Sequence, residues 1–369
     1  MAANRGEWAE LYVMFKLLGE GKIYAADEKL EKNPDSYLDI IRIIREEVKN
    51  KLIEYKTGAI VEITMDKEPV ISIPAVEFLR NADILLKTIT SSEGRSFDVL
   101  SETKNFKETA LVKRNKAPSF GYYGGFGGKN DIIMEIYDHR TALFSVAGFS
   151  IKSKYNNPPT LFNAAKASAF TYELLNISDE QLKEINSFVT STGGRDKNSR
   201  IDYILLNNIG VSFSRVRDVF GDNLENIRGD MIQILDCILR THYFCRRSNS
   251  KLTDITSRLT TENPLGKRNP DIFYMKAVKD LLYASFAGMT ASERWDGKMV
   301  VNGGYIVAKE DGDVLAYHAK DLESFRTFLF NNTHIDRPSS SESKYDYAFV
   351  YKESGKYYLD LNFQIRFND

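Results

Sequence analysis

Two apolar segments joined by a short polar turn place the strongest constraint on the fold of this chain. Asp131–Tyr137 and Ala142–Lys152 have the composition of β-strands, and the turn Asp138–Arg140 between them is polar. Strands this close in sequence need only local, antiparallel pairing. The sequence therefore predicts an antiparallel strand pair over residues 131–152.

The rest of the chain alternates between helical and extended patterns. Residues 37–48 are apolar but ambiguous between helix and strand. Near residue 176 the pattern changes to mainly helical, and from Met299 it becomes rich in strands, so we expect two regions, 1–176 and 177–369. Helices are predicted over 4–20, 75–89, 178–191, 226–246 and 271–288, and strands over 59–65, 70–73, 299–309, 314–317, 345–352 and 356–367.

Composition excludes several classes of protein. The 369 residues suffice for two or three packed units. Fifty basic residues against 51 acidic ones give a net charge of -1, which excludes binding through a basic tail but leaves room for a local basic cleft. No apolar run predicts a membrane-spanning helix, and we expect no secretory signal. Cys237 and Cys245 are too few for a disulfide framework, so we expect a globular cytoplasmic protein.

Three polar residues at one end of the predicted strand pair suggest chemistry. Side chains alternate along a strand, so Ser150 and Lys152 share a face while Ile151 points into the core. Antiparallel pairing can bring that face beside Asp131. A carboxylate that holds Mg²⁺, with a lysine that orients or deprotonates water, suits metal-assisted phosphodiester hydrolysis. An ordinary strand with a solvated lysine is the alternative.

A lone aspartate makes a weak Mg²⁺ site, so this mechanism needs a second carboxylate. Glu10, on the predicted N-terminal helix, is the better candidate. Glu135 lies on the same strand face as Asp131 and is the rival. Both therefore remain open as metal ligands.

Two further segments offer contacts to phosphate. The glycine-rich segment 120–130 fails the spacing of phosphate-binding loops, but Lys129 within it suits a phosphate contact. A loop near the C-terminus contributes Arg337 and Lys344, whose donors suit phosphates or base edges. A flexible connector and a solvated surface loop are the respective alternatives.

Several short motifs occur in an order that resembles the HpaII family of type II restriction endonucleases. The likeness begins in the helix opened by Asn4–Glu10 and continues through Asp131 and Gly148–Lys154. It includes Ile335–Ser341 and Leu359–Arg366 near the C-terminus. Each motif is short, so the specificity of the likeness comes from their order along nearly the whole chain.

The resemblance implies an α/β (α+β) protein with a PD-(D/E)XK nuclease core, a mixed sheet flanked by helices. Such a nuclease uses Mg²⁺ to cleave both strands of a short palindrome, CCGG for the family's namesake. Asp131 matches the motif's aspartate and Lys152 its lysine. Ser150 stands where the motif has Asp or Glu, so the missing carboxylate must come from elsewhere, and Gly6–Glu10 fits the GxxxE arrangement of such nucleases. Asn130 replaces the motif's proline.

On this interpretation, residues 1–176 hold the nuclease core, and residues 177–369 hold helical and β-rich parts that recognise DNA. Lys154, in the same motif as Lys152, is then a further DNA contact. A palindromic target favours a homodimer on double-stranded DNA, and a restriction enzyme implies a cognate DNA methyltransferase as functional partner. A DNA-binding protein without catalysis, its site degenerate at Ser150, is the first alternative. A nuclease of HNH or GIY-YIG type is the second.

Overall fold

The computed structural model describes residues 2–48, 51–94, 96–113, 130–153, 155, 160–191, 193, 196–245, 250–297, 303–318, 322–338 and 347–368. This part of the chain contains eighteen strands and ten α-helices. The strands are β1 (Ala3–Asn4), β2 (Lys22–Ala26), β3 (Lys32–Val48), β4 (Lys51–Lys56), β5 (Ile60–Met65), β6 (Glu68–Pro74), β7 (Ser96–Phe97), β8 (Ile132–Asp138), β9 (Leu143–Ser153), β10 (Thr160–Phe162), β11 (Ala169–Leu175), β12 (Gly210–Val216), β13 (Gly304–Ala308), β14 (Val314–His318), β15 (Thr333–Ile335), β16 (Val350–Glu353), β17 (Lys356–Asn362) and β18 (Ile365–Phe367). The helices are α1 (Arg5–Glu20), α2 (Ala75–Ser91), α3 (Ser101–Thr109), α4 (Asp179–Ser187), α5 (Lys197–Leu206), α6 (Asp218–Ile227), α7 (Met231–Phe244), α8 (Leu252–Glu262), α9 (Pro270–Ala287) and α10 (Leu322–Asn331).

The chain forms two compact units, of which the first comprises residues 1–159 and 299–328. Its main element is a nine-stranded sheet in the order β2-β14-β13-β9-β8-β3-β4-β5-β6. The sheet is mixed, because β13 runs parallel to β9 and β14 runs parallel to β2, whereas β8 and β9 are antiparallel. The predicted mixed α and β composition is thus confirmed.

The two faces of this sheet carry different residues. On one face, Met134, Phe149 and Ile151 belong to a core shared with the buried side of α1 and with α2. On the opposite face, Tyr305 of β13 contacts Phe325 of α10, with ring centroids 5.4 Å apart. Because side chains alternate along β9, Ser150 and Lys152 lie on the face opposite Ile151.

Helix α1 begins where its sequence predicts. The Asn4 side chain accepts from the backbone N–H of Glu7, and the Glu7 carboxylate accepts from the backbone N–H of Asn4, which forms a capping box. The helix ends at Gly21, whose φ of 68° suits glycine. This capped helix buries Trp8, Phe15 and the other large apolar residues of its inner side.

The second unit comprises residues 160–298 and 329–368. It contains a four-stranded sheet, β12-β11-β17-β16, and a three-stranded sheet, β10-β18-β15. Helices α4 to α9 belong to this unit. Aromatic rings dominate its core, where Phe220 lies 5.5 Å from Phe162 and 6.1 Å from Phe363 between ring centroids.

Most elements predicted from sequence are confirmed. The strand pair over 131–152 forms β8 and β9, and the helices over 4–20, 75–89 and 271–288 form α1, α2 and α9. The ambiguous segment 37–48 is extended and belongs to β3, which lies between β4 and β8 in the sheet. Pairing with β4 and β8 determines the conformation of this segment, which apolar spacing alone leaves ambiguous between helix and strand.

Three predicted elements are corrected. The helix expected over 226–246 is wrong, because the chain leaves helical conformation at Arg228–Asp230, where the Arg228 guanidinium pairs with the Asp230 carboxylate at 2.6 Å, and α7 starts afterwards. The helix expected over 178–191 ends at Ser187. The strand expected over 356–367 is interrupted, since β17 and β18 belong to different sheets.

The two units differ from the expected regions 1–176 and 177–369. Strands β10 and β11 pair with β18 and β17, so residues 160–176 belong to the second unit. Strands β13 and β14 pair with β9 and β2, so this part of the β-rich C-terminal region belongs to the first unit. The difference arises because these pairings join segments that are far apart in sequence. None of the helices in the described ranges is sufficiently long and apolar to span a membrane.

Candidate active site

The Asp131 carboxylate lies where β8 begins, beside Ser150 of β9. Two hydrogen bonds from β9 fix it: Oδ2 accepts from the Ser150 hydroxyl at 3.0 Å and from the backbone N–H of Ile151 at 2.8 Å. The backbone N–H of Asp131 donates to the carbonyl of Phe149 at 2.9 Å. The strand pair therefore brings Asp131 and Ser150 together, at the sheet position expected from their spacing of 19 residues.

Lys152 lies two residues further along β9, on the Ser150 side of the strand. Its ammonium nitrogen is 5.8 Å from the centroid of the Tyr305 ring. Tyr305 is the register partner of Ser150 in the parallel pair of β9 and β13. Burial raises the pKa of the Tyr305 hydroxyl, and the negative charge of Asp131 raises it further. Asp131, Lys152 and Tyr305 thus form one cluster around Ser150.

Tyr305 is a member of this cluster that the sequence did not reveal. The segment Gly304–Ile306 resembles part of a GIY-YIG motif only superficially, and β13 follows β9 by about 150 residues. Its side chain is buried, and its ring contacts that of Phe325. No local pattern connects Tyr305 with Asp131, because their proximity depends on the parallel pairing of β13 with β9.

Asn130, the residue before Asp131, is buried. Only 7% of it is exposed, and neither Oδ1 nor Nδ2 of its side chain has a hydrogen-bond partner within the described ranges. The carboxamide occupies the space that a side chain at Gly148 would need, since a Cβ there would lie 2.4 Å from its atoms. Gly148 therefore allows Asn130 to pack against β9.

Glu10 lies on α1, three residues beyond the capping residue Glu7. It is half-buried, and its Oε2 atom is shielded from solvent. Helix α1 covers the face of the sheet that carries Ile151, whereas Ser150 and Lys152 lie on the opposite face. A Glu10 carboxylate that serves the same site as Asp131 must therefore approach around the end of β8.

Glu135 is held in an ion-pair network further along β8. Its carboxylate lies 2.7 Å from the Arg42 guanidinium, which also pairs with Glu54 at 2.8 Å. Four residues along a strand separate Glu135 from Asp131, about 13 Å at the usual rise. This carboxylate already neutralises a half-buried arginine.

The donor set at Asp131 suits a hard cation. Among the residues that the structure describes, no three acidic, histidine or cysteine side chains are grouped so as to hold a metal ion. Mg²⁺ does not require such a cage, because it is bound by one or two carboxylates together with water and substrate phosphates. The fixed carboxylate of Asp131 can supply one such ligand.

The residues expected to contact DNA are only partly described. Lys129, Lys154 and Lys344 lie outside the described residues. Arg337 lies in the second unit, where its guanidinium donates to the side-chain oxygen of Asn198 and stands 5.4 Å from the centroid of the Tyr243 ring. Arg337 is therefore a positioned cation.

Comparison with known proteins identifies the family of this chain. A family model described as HpaII restriction endonuclease matches residues 4–367. Type II restriction enzyme HpaII of Haemophilus parainfluenzae is 32% identical over 373 residues, which cover 99% of this chain and 98% of that protein. No solved structure matches. With both the match to the family model and the identity extending over nearly its whole length, the chain belongs to the HpaII family of type II restriction endonucleases, which are site-specific deoxyribonucleases.

Proposed function

We propose that this enzyme is a Mg²⁺-dependent nuclease with a PD-(D/E)XK core that cleaves both strands of a short palindromic DNA site, CCGG or a similar sequence. The observation that carries the proposal is the cluster at the adjoining ends of β8 and β9. There a fixed carboxylate, Asp131, lies beside the strand end that presents Lys152. The 32% identity to an enzyme named HpaII supports CCGG as the first sequence to test.

Each residue of the cluster has a distinct task in this mechanism. Asp131 and a second carboxylate would hold Mg²⁺, whose charge stabilises the additional negative charge at phosphorus. Lys152 orients the attacking water or accepts a proton from it. The Ser150 hydroxyl, by donating to Oδ2 of Asp131, keeps that carboxylate in position. Tyr305 supports Lys152 from the neighbouring strand.

We assign the second carboxylate to Glu10 rather than Glu135. Glu135 forms an ion pair with Arg42 at 2.7 Å and lies four residues beyond Asp131 in the chain. Glu10 has the spacing from Gly6 found in related nucleases and lies on a helix packed against the same strands. The proposed metal ligands are therefore Asp131 and Glu10.

A cleavage assay on duplex DNA tests the mechanism. The purified enzyme with Mg²⁺ should yield discrete fragments whose mapped ends define one sequence. Asp131→Ala and Lys152→Ala should each reduce the cleavage rate at least 100-fold, on the order of the loss of one catalytic group. Lys56→Ala, at an exposed lysine of β4, is the matched control and should cleave normally. Specific DNA retention without nicking by the wild-type enzyme would contradict the mechanism and favour a degenerate site.

The same assay distinguishes the two carboxylates. Glu10→Gln should lose cleavage to the extent that Asp131→Ala does, and the Mg²⁺ concentration needed for half-maximal rate should rise. Glu135→Gln should cleave at close to the wild-type rate, although it loses an ion pair with Arg42. Near-normal cleavage by Glu10→Gln would transfer the ligand role to another acid.

A palindromic site implies further partners. Symmetric cleavage of both strands favours a homodimer on the DNA, with one active site for each strand. Activity in the cytoplasm against unmodified DNA requires a cognate methyltransferase that protects the host's own sites. The lysines at 129, 154 and 344 and Arg337 are the proposed DNA contacts.

A further inference from the structure

The second unit holds two cations on a platform of two buried tyrosines. The Arg337 guanidinium lies 5.4 Å from the centroid of the Tyr243 ring, and the Lys197 ammonium lies 5.1 Å from that of Tyr347. The two rings are buried, with centroids 5.6 Å apart. Cation–π contacts of this kind hold a cation over an aromatic face. The platform therefore fixes two positive charges close together.

Within the described ranges, neither cation is neutralised by an ion pair. Asp336, whose charge acts on Lys197, pairs with the Arg366 guanidinium at 2.6 Å and accepts a hydrogen bond from the backbone N–H of Arg337 at 2.8 Å. Burial lowers the pKa of Lys197. The charge of Asp336 raises this pKa, and the charge of Arg337 lowers it further. Two adjacent cations without their own counter-ions, in a chain of balanced charge, suit an anionic partner.

Asn198 adds a hydrogen-bonding side chain next to the two cations. It follows Lys197 at the start of α5 and is exposed. Its side-chain oxygen accepts from Nη1 of Arg337, which orients the carboxamide and leaves the Nδ2 amide as a donor. Arginine has donors alone. The Arg337–Asn198 pair is therefore rich in hydrogen-bond donors.

A pair of side chains rich in donors selects among the bases. In the major groove guanine presents two neighbouring acceptors, O6 and N7, whereas adenine and cytosine each present a donor amine, and thymine presents a methyl group beside one acceptor. We propose that Arg337 and Asn198 together read one guanine of the target site through O6 and N7, with Lys197 placed on a nearby phosphate. This inference rests on the proposed function, because it assumes a specific duplex target, and it names the base that the pair recognises.

Binding measurements without cleavage test the proposal. Duplexes carrying the mapped site are labelled, and their affinity is measured by fluorescence anisotropy in EDTA. Each guanine is replaced in turn by 7-deazaguanine, which lacks the N7 acceptor. Replacement of one guanine should weaken wild-type binding about tenfold or more. Arg337→Ala and Asn198→Ala should bind the unmodified site more weakly and should be insensitive to that same replacement.

Two further variants sharpen the test. Asn198→Asp places acceptors beside Arg337 and neutralises it, so its affinity for the site should fall below that of Asn198→Ala. Arg258→Ala removes another partly exposed arginine of this unit, one already paired with Glu262 at 2.6 Å, and should bind as the wild type does. Lys197→Ala should weaken binding to specific and unrelated duplexes to the same extent and should reduce the salt dependence of binding.

Several outcomes would overturn the inference. If the wild type tolerates 7-deazaguanine at every position, no guanine N7 is read. If Arg337→Ala weakens binding to the specific and unrelated duplexes equally, Arg337 contacts the DNA backbone and not a base. If the wild type prefers no sequence at all, the proposed function fails together with this inference, whereas the first two outcomes leave the proposed function intact.

Discussion

At the scale of single residues, Ser150 is the most informative departure from the proposed nuclease motif. It is 8% exposed and donates to Oδ2 of Asp131. With serine at this position, the pair carries one negative charge where a PD-(D/E)XK motif carries two. A second carboxylate in this buried place would repel the first unless a cation lay between them.

Ser150→Asp therefore tests for the cation directly. In EDTA we expect the variant to lose roughly 1–3 kcal/mol of unfolding free energy, since two carboxylates this close repel each other in the folded protein. Saturating Mg²⁺ should stabilise it more than the wild type, because a ligand that binds only the folded state adds to its stability. Urea denaturation with and without Mg²⁺ measures both effects.

Ser150→Ala is the matched control for the aspartate variant. It loses the hydroxyl but adds no charge, so it should lack the enhanced response to Mg²⁺. An equal response of Ser150→Asp and wild type would place the cation away from Asp131.

The residues of the site were predictable to the extent that they lie in one hairpin. Asp131, Ser150 and Lys152 follow from strand alternation and local pairing, which a single sequence displays. Tyr305 and Asn198 do not, because their partners Lys152 and Arg337 lie more than 130 residues away in sequence. A contact over that distance has no local periodicity by which to recognise it.

At the scale of elements, β9 is positioned from two sides. Its antiparallel neighbour β8 is close in sequence, whereas its parallel neighbour β13 is distant. Gly303, just before β13, donates its backbone N–H to the Gly148 carbonyl at 2.8 Å. A Cβ at Gly303 would lie 2.7 Å from that carbonyl oxygen and 2.7 Å from the Phe149 ring. Glycine thus allows the close approach of the two strands.

Gly303→Ala should consequently disturb both stability and activity. The added methyl group meets backbone, which cannot rotate aside, so we expect a loss of about 1–3 kcal/mol of unfolding free energy. Cleavage should slow as well, because β9 carries Ser150 and Lys152 just beyond the displaced residues. Urea denaturation and the cleavage assay measure the two effects. Gly229→Ala, at a position with open space around it, should change neither; unchanged cleavage in Gly303→Ala would show that β13 does not position β9.

Elements bounded by local signals were predicted better than those bounded by tertiary contacts. The capping boxes at Asn4 and Ser178 mark the starts of α1 and α4. The break between α6 and α7 carries a weaker signal: Gly229 lies at it, but an isolated glycine does not by itself end a helical pattern, and an ion pair between Arg228 and Asp230 spans the gap. Strand β3 required knowledge of its neighbours.

At the scale of the whole molecule, the chain passes from the first unit to the second and returns. Residues 299–328 complete the sheet of the first unit, and residues 329–368 complete the sheets of the second. Their β character was predictable, but their assignment to different units was not, because strands with similar apolar patterns pair with distant segments in each case. The stability of the molecule therefore depends on side chains that are buried when these C-terminal segments pair with distant strands.

His242 of the second unit predicts how that stability depends on pH. It is 7% exposed, and burial lowers its pKa to about 3, with the charges of Arg337 and His334 adding to the effect. Above about pH 6.5 the imidazole is neutral in both states. As the pH falls from 6.5 towards 3, the unfolded chain binds a proton that the folded chain does not, so folding stability is lost. At pH 5 the loss from this residue is about 2 kcal/mol.

His242→Leu should flatten this part of the stability profile, because leucine keeps an apolar side chain in the same buried place without a titrating group. Urea denaturation between pH 7.5 and pH 5 should give a smaller fall in unfolding free energy for the variant than for the wild type. Equal slopes for wild type and His242→Leu would mean that the imidazole binds its proton in the folded protein, and that the second unit admits water to this side chain.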